Sequence, residues 1–292
     1  MKKIISLIIG LVLTASIFSQ TTEAEETLKA KLKATDSGWK TGGVVNVNFS
    51  QAAFSSNWAD GTENSMSITS LISIFANFSD GANVWDNTLD LGYGFLKQGS
   101  NDLVKSDDKI DLTSKYGRQA FSDWYYAALL NLKSQMTPTY DLAENTISQF
   151  LSPGYILGAA GMDWKPMPEL SIFISPITLK ATMYLNSDHA DWYQEGDAVL
   201  SDIGGYLRVV YKKEIFTNIG YETKLEMFSN YQEDEERDQK PQNIDILWSN
   251  LITMKVNQYV NANFTFDLAH DDNQSRDTQF KEVLGIGISY VF

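Results

Sequence analysis

The sequence contains no cysteine. Disulfide staples are therefore excluded, as are metal sites built on thiolate and an N-terminal lipid anchor on a cysteine. The fold must be held by backbone pairing and packing alone. Long apolar runs are almost as scarce. The only continuous one, residues 4–18, follows Met1-Lys2-Lys3. It is too short to span a bilayer comfortably as a helix, and a basic start before a short apolar core reads as a secretory signal. Residues 1–19 are accordingly expected to be a signal peptide, cut near Ser19 or Gln20. Basic residues are also in deficit, at 23 Lys and Arg against 37 Asp and Glu, a net charge of −14. Loss of Lys2 and Lys3 with the signal leaves 21 basic residues against 37 acidic, or −16. A chain this acidic repels nucleic acid, which removes that class of partner.

What is present is aromatic and alternating. Phe, Trp and Tyr make up 12% of the chain, although its mean hydropathy is only −0.23. Such rings suit a membrane interface, where one end is apolar and the other wet. Residues 20–38 are polar and helix-permissive, and they read as a periplasmic leader, either mobile or containing a short helix. From Lys40 onward the dominant period is two. Met66, Ile68, Ile72, Ile74, Ala76 and Phe78 share one face, while Ser65, Ser67, Thr69, Ser73 and Asn77 share the other. Leu71 and Phe75 break that pattern. Tyr221 and Leu225 alternate with Glu222, Lys224 and Glu226, and Ile244 to Val256 and Val260 to Leu268 alternate likewise.

A soluble sandwich also alternates, but its strands usually run about 5–6 residues. The segments here run to about 12–15 and place charge on the polar face in rows, as a barrel in lipid allows. Twelve strands are predicted, near 40–54, 65–79, 84–97, 107–118, 121–136, 153–165, 170–184, 199–213, 216–230, 243–257, 259–271 and 280–292. Connections after odd strands are long and polar (55–64, 98–106, 137–152, 185–198, 231–242, 272–279). Those after even strands are short (80–83, 117–120, 166–169, 212–214 and Gln258). This alternation predicts an all-β fold, a transmembrane antiparallel up-and-down barrel over residues 39–292. It would have long extracellular loops, short periplasmic turns and both termini in the periplasm. Trp85, Trp124, Tyr126, Trp164, Tyr211, Tyr290 and Phe292 fall near the periplasmic interface on the lipid-facing parity. Leu284, Ile286, Ile288, Tyr290 and the terminal Phe292 alternate strictly. That pattern resembles the signal read by the barrel-insertion machinery, an expected partner beside outer-membrane lipid and lipopolysaccharide.

Several segments carry a family resemblance: GWKTGGVVNVNFSQAAFSSNWADGTENS (38–65), WDNTLDLGYGFLKQG (85–99), DDKIDLTSKYG (107–117), WYYAALLNLKSQ (124–135), ISPIT (174–178), GGYLRVVYKKEIF (204–216), KLEMFSNY (224–231), PQNID (241–245) and QFKEVLGIGISYVF (279–292). Together they resemble an uncharacterised outer-membrane β-barrel family of Bacteroidota-type bacteria, a domain of unknown function. The resemblance implies location and fold, and no activity.

The inward parity gathers charge of both signs. Asp90, Lys115, Arg208, Glu222, Lys224, Glu226, Asp245, Lys255 and Asp267 are the principal candidates, with Asp86, Lys109, Asp111, Asp163 and Lys281 beside them. Charges in such a lumen must pair or stay hydrated. Paired, they seal the barrel; hydrated, they line a narrow pore for small polar solutes. Opposite charges on adjacent strands, such as Lys224 with its neighbours, are expected to form the pairs. The two histidines, His189 and His270, lie by aspartates on the extracellular side, where a surface hydrolase would use them. No hydrolase motif accompanies them, and solvated loop histidines are the simpler reading. Asp271, Asn273, Ser275, Asp277 and Glu282 approach calcium-loop spacing, but Arg276 stands where such a loop needs glycine. The run Glu233 to Glu236 reads as a solvated loop tip. No catalytic residue, metal or cofactor is assigned. The leading expectation is a sealed barrel acting as a structural or partner subunit of an envelope complex. A passive channel comes second and a surface hydrolase third.

Overall fold

The computed structural model describes residues 37–55, 63–140, 146–185, 199–232, 243–257, 259–271 and 275–292. The signal and leader, His189, Asn273 and the acidic run 233–236 lie outside these residues.

Fourteen strands are present among the described residues: β1 (Gly38–Ala52), β2 (Ser65–Ser79), β3 (Asn83–Gln98), β4 (Val104–Phe121), β5 (Trp124–Ser134), β6 (Thr139–Tyr140), β7 (Thr146–Ser148), β8 (Gly154–Met167), β9 (Leu170–Met183), β10 (Val199–Phe216), β11 (Ile219–Asn230), β12 (Ile244–Lys255), β13 (Val260–Asp271) and β14 (Ser275–Val291). β6 and β7 form a small hairpin of their own, and the other twelve close into one barrel in sequence order. Closure answers an elementary demand. Backbone N–H and C=O groups have no water to bond in a lipid core, so a sheet there can leave no open edge.

The alternation read from the sequence is the alternation of the wall. Ile68, Ile74, Leu112, Leu130, Leu284 and Ile288 are exposed on the outside. Rings gather at the end with short turns: Trp39 lies 5.5 Å from Phe78 and 5.7 Å from Trp85, and Trp124 stacks on Trp164 at 5.8 Å. The polar side chains on this outer wall bond to one another. The Trp85 indole donates to Ser114 (2.9 Å), which donates to Asn87 (2.7 Å); Trp248 donates to Thr223 (2.8 Å) and Tyr221 to Asn250 (2.9 Å). Such satisfaction lets a hydroxyl or carboxamide face lipid at small cost.

Several connections differ from those expected. The turn placed at 117–120 is strand, and the chain reverses at 122–123 instead. The turn placed at 212–214 is likewise strand, with reversal at 217–218. In both places polar residues that resemble turn chemistry instead continue the ladder. Lys212 pairs in register with Glu222, and Arg118 with Tyr126. At 80–82 the turn is where it was expected. Asp80 accepts from the backbone of Asn83 (2.7 Å) and Ala82 (3.1 Å). The side-chain and backbone hydrogen bonds from Asn83 hold its carboxyl below the usual carboxylate range.

Phe75, an apolar residue on the mostly polar face of its strand, points inward and is 2% exposed. Its ring fills the space left by its register partner Gly42, where an added Cβ would meet the ring at 2.8 Å. A large ring inside one wall is thus matched by a missing side chain on the next. Phe75→Ala should lower barrel stability by about 3–5 kcal/mol through the lost burial and the cavity left behind. Urea titration followed by heat-modifiable gel mobility checks this.

Candidate functional site: an ion lattice across the lumen

The inward side chains form three tiers of charge. Nearest the short turns, Lys115 Nζ lies 2.5 Å from Asp163 and 3.0 Å from Ser171 Oγ, and Ser171 donates to Asp163 at 2.7 Å. Lys165 lies 2.9 Å from Asp86 and 3.7 Å from Asp163, with the Tyr125 ring 5.7 Å from its ammonium. Lys212 and Glu222 pair at 2.5 Å on adjacent strands.

The middle tier converges on two carboxylates. Glu226 receives Lys133 at 2.7 Å and the Tyr206 hydroxyl at 2.6 Å, with Lys224 at 3.8 Å and Arg208 Nε at 3.9 Å. Asp111 receives Asn131 at 2.6 Å and Lys224 at 3.2 Å, with Lys109 at 3.9 Å. Toward the long connections, Lys180 lies 2.6 Å from Asp245 and 3.1 Å from Asp271, above the Phe228 ring at 5.5 Å. Between the tiers an apolar cluster of Ala127, Leu129, Ala159, Phe173, Tyr206 and Phe228 occupies the inner wall of β5 and β8–β11.

The partners are only in part the adjacent-strand neighbours expected from the sequence. Lys212–Glu222 and Arg208–Glu226 do join adjacent strands. Lys224, however, reaches Asp111, five strands away around a wall of twelve. Lys133 reaches Glu226 four strands away, and Lys165 reaches Asp86 three strands away. The walls bearing β4 and β11 must therefore approach to within the combined length of a lysine and an aspartate. Asp163, Lys165 and Asp111 are each at most 2% exposed. Charge this deeply buried is stable only when paired and further hydrogen-bonded, as it is here.

All nine principal candidates fall on the inward parity. Six of them are ion-paired in the lattice: Lys115, Arg208, Glu222, Lys224, Glu226 and Asp245. Asp90 sits beside Asp111 in register, within electrostatic reach of Arg208 and Lys224. Lys255 faces Asn261 across its ladder. Asp267 faces Lys281, whose ammonium turns to Asp107 at 3.0 Å.

Sequence reasoning did not include Lys133, Lys165 and Lys180. Lys133 follows a stretch apolar on both faces, because Tyr125, Ala127 and Leu129 point inward into the apolar cluster. Lys165 is the last residue of its predicted strand, where parity says least. Lys180 lies beyond an irregularity at Pro176–Ile177, where the register of β9 against β10 shifts. Ser175 and Phe173 face inward before it, and Thr178 and Lys180 after it, so no strict period of two carries across. Proline has no N–H to give a ladder and is tolerated at such a bulge.

The other candidates remain separate. His270 Nδ1 lies 3.3 Å from Thr278 Oγ1 on the outward parity, away from the lattice. Asp271 of the calcium-spaced stretch belongs to Lys180. Among the described residues no group of three or more His, Asp or Glu side chains is placed to hold a metal ion.

A closed antiparallel barrel with an apolar outer wall, an aromatic rim and a charged, paired interior defines the outer-membrane class of β-barrel. Within that class, residues 49–140 match the model of a family described as protein of unknown function (DUF3078). The match runs from the second half of β1 through the β6 residues. No curated protein matches the chain. Among solved structures the chain is similar to the translocator domain of the autotransporter NalP from Neisseria meningitidis, at 10% identity and TM-score 0.38, covering 92% of this chain and 94% of that one. It is also similar to an outer-membrane channel from Pseudomonas putida F1, at 12% identity and TM-score 0.42, covering 89% and 97%. For the porin NanC the figures are 8% and 0.41, covering 85% and 98%.

The lattice makes a contrast that can be measured. Lys133→Met removes a partner from a buried carboxylate and should cost about 3 kcal/mol or more. Lys109→Met removes a lysine that is 46% exposed at its side chain and 3.9 Å from its partner, and should cost at most about 1 kcal/mol. Equilibrium urea unfolding of both variants in the same detergent checks the difference.

Proposed function

We propose that the protein is an outer-membrane barrel whose lumen is held shut by the ion lattice, and that it serves as a structural or partner subunit of an envelope complex. The supporting observation is the set of pairs that cross the lumen rather than run along its wall, Lys224 to Asp111 and Lys133 to Glu226 above all. A permeation path is lined by charges that water and solute can reach. Here the same charges are bonded to the opposite wall and backed by Phe173, Tyr206 and Phe228, each buried. In this reading both chain ends and the short turns face the periplasm, and the long connections face outward. The alternating C-terminal strand ending at Phe292 meets the insertion machinery, and the outer wall meets lipid and lipopolysaccharide.

One observation favours a narrow channel for small polar solutes as the second reading. On the side formed by β13, β14, β1 and β2, several inward groups are neutral and only half-buried, among them Asn48, Thr69 and Thr265. A water path, if the barrel has one, runs along this side rather than through the lattice.

Planar-bilayer recording separates the two readings. The wild type should show no steady conductance, and Lys133→Ala combined with Lys224→Ala should introduce one together with a lower melting temperature. A wild type that conducts steadily, with a double variant changed only in ion selectivity, would establish the channel instead. Orientation is checked separately. A cysteine at Ser100 should react with an impermeant maleimide on intact cells, and cysteines at Gly81 and Lys213 should not. The reverse pattern would invert the barrel.

A further inference from the structure

The barrel closes where its first strand meets its last, and this seam is the shortest in the wall. β1 and β14 register over six residue pairs, Val44–Phe49 against Ile286–Val291. Every other neighbouring pair of barrel strands registers over ten or more. On its other edge β1 is paired along its whole length, fifteen residues against β2. The seam is therefore the line along which the wall has least backbone pairing to lose.

On the lumen side of this line lies a lattice of another kind, without charge. Asn46 of β1 donates to Ser289 of β14 at 2.7 Å and to Asn261 of β13 at 3.3 Å. Asn263 of β13 donates to Asn48 of β1 at 3.0 Å and to Asn261 at 3.2 Å. Asn261 also donates to Ser289. Two of these bonds join β13 directly to β1 and pass over β14. They can do so because the intervening inward residue is Gly287. A Cβ there would meet Asn48 Oδ1 at 2.4 Å, Asn261 Oδ1 at 2.6 Å and Asn46 Oδ1 at 2.8 Å. Asn261 and Ser289 are at most 1% exposed, and Asn46 is 4% exposed. Water therefore does not compete for these bonds, and buried bonds of this kind are costly to break.

From this geometry we infer that the β1–β14 seam is latched rather than merely paired, and that it is where the barrel wall opens first. The latch is the carboxamide bridge from β13 over Gly287 to β1. Its release would separate β1 from β14 while leaving the three tiers of the ion lattice intact, because no tier pair includes a residue of β1 or β14 and the β14 pair described above, Lys281 with Asp107, lies outside the seam residues 286–291. The opening would join the lumen to the surrounding lipid at the level of Val47 and Ile288, which face outward in register.

Hydrogen exchange on the full chain in detergent micelles tests this with two variants. Asn263→Ala removes one strand-skipping bond. Gly287→Ala places a methyl group in the centre of the latch. In each, exchange over 44–49 and 286–291 should quicken by on the order of tenfold, as loss of one or two buried hydrogen bonds implies. Exchange over β3 and β4 should stay at the wild-type rate. A disulfide between Val47→Cys and Ile288→Cys should return the seam to wild-type protection. Should Gly287→Ala not assemble, Asn263→Ala decides alone. Unchanged seam exchange overturns the inference, as does equal quickening in β3 and β4, which would mark general destabilisation.

Discussion

The structure depends on one requirement, that every backbone donor and acceptor facing lipid finds a partner within the chain. A sheet meets it only by closing, and closing forces the two faces of each strand into different solvents. The outer face must be apolar or internally bonded, and the inner face is free to carry charge. The exposed Ile68, Ile74 and Leu130 on one parity, and the buried Asp111, Asp163 and Lys165 on the other, follow from that single division. Even the outward hydroxyls and carboxamides obey it, since Ser114, Thr223 and Asn250 each accept from a Trp or Tyr beside them.

Inside, a second constraint operates. Charge removed from water costs more than pairing along one wall can return, unless the remaining lone pairs are also satisfied. Glu226 illustrates the solution. Two lysines, an arginine and a tyrosine hydroxyl from β5, β10 and β11 surround one carboxylate. Such convergence needs opposite walls to approach, and it sets buried charges of β4, β5, β10 and β11 against one another. The apolar cluster of Leu129, Phe173, Tyr206 and Phe228 is the same adaptation in uncharged form.

The twelve barrel strands were legible in the sequence because period two persists wherever lipid lies on one side and polar contacts on the other. Strand ends were less legible. Lys212 and Arg118 carry turn-like chemistry but extend their ladders, Arg118 exposed at the strand end and Lys212 paired with Glu222 inside. Inward parity was legible for Asp90, Glu222 and Lys224, whose strands alternate cleanly. It was hidden for Lys133, where the inner face is itself apolar, and for Lys180, where the Pro176–Ile177 irregularity resets the count. The identity of the partners was least legible of all. Register is a local property, but Lys224 meeting Asp111 depends on how closely strands five apart in the ring approach one another.

That last pairing has a consequence for how the chain can vary. Asp86, Asp111, Lys115 and Lys133 lie in the stretch that carries the family match, and their partners Lys165, Lys224, Asp163 and Glu226 all lie beyond it. Neither portion is electrically complete without the other. A buried charge removed from one leaves its partner unpaired in the other, some fifty to over a hundred positions away. A fragment ending near residue 140 would present unanswered carboxylates and ammonium groups to whatever solvent it met. Only the completed ring brings these charges to their partners.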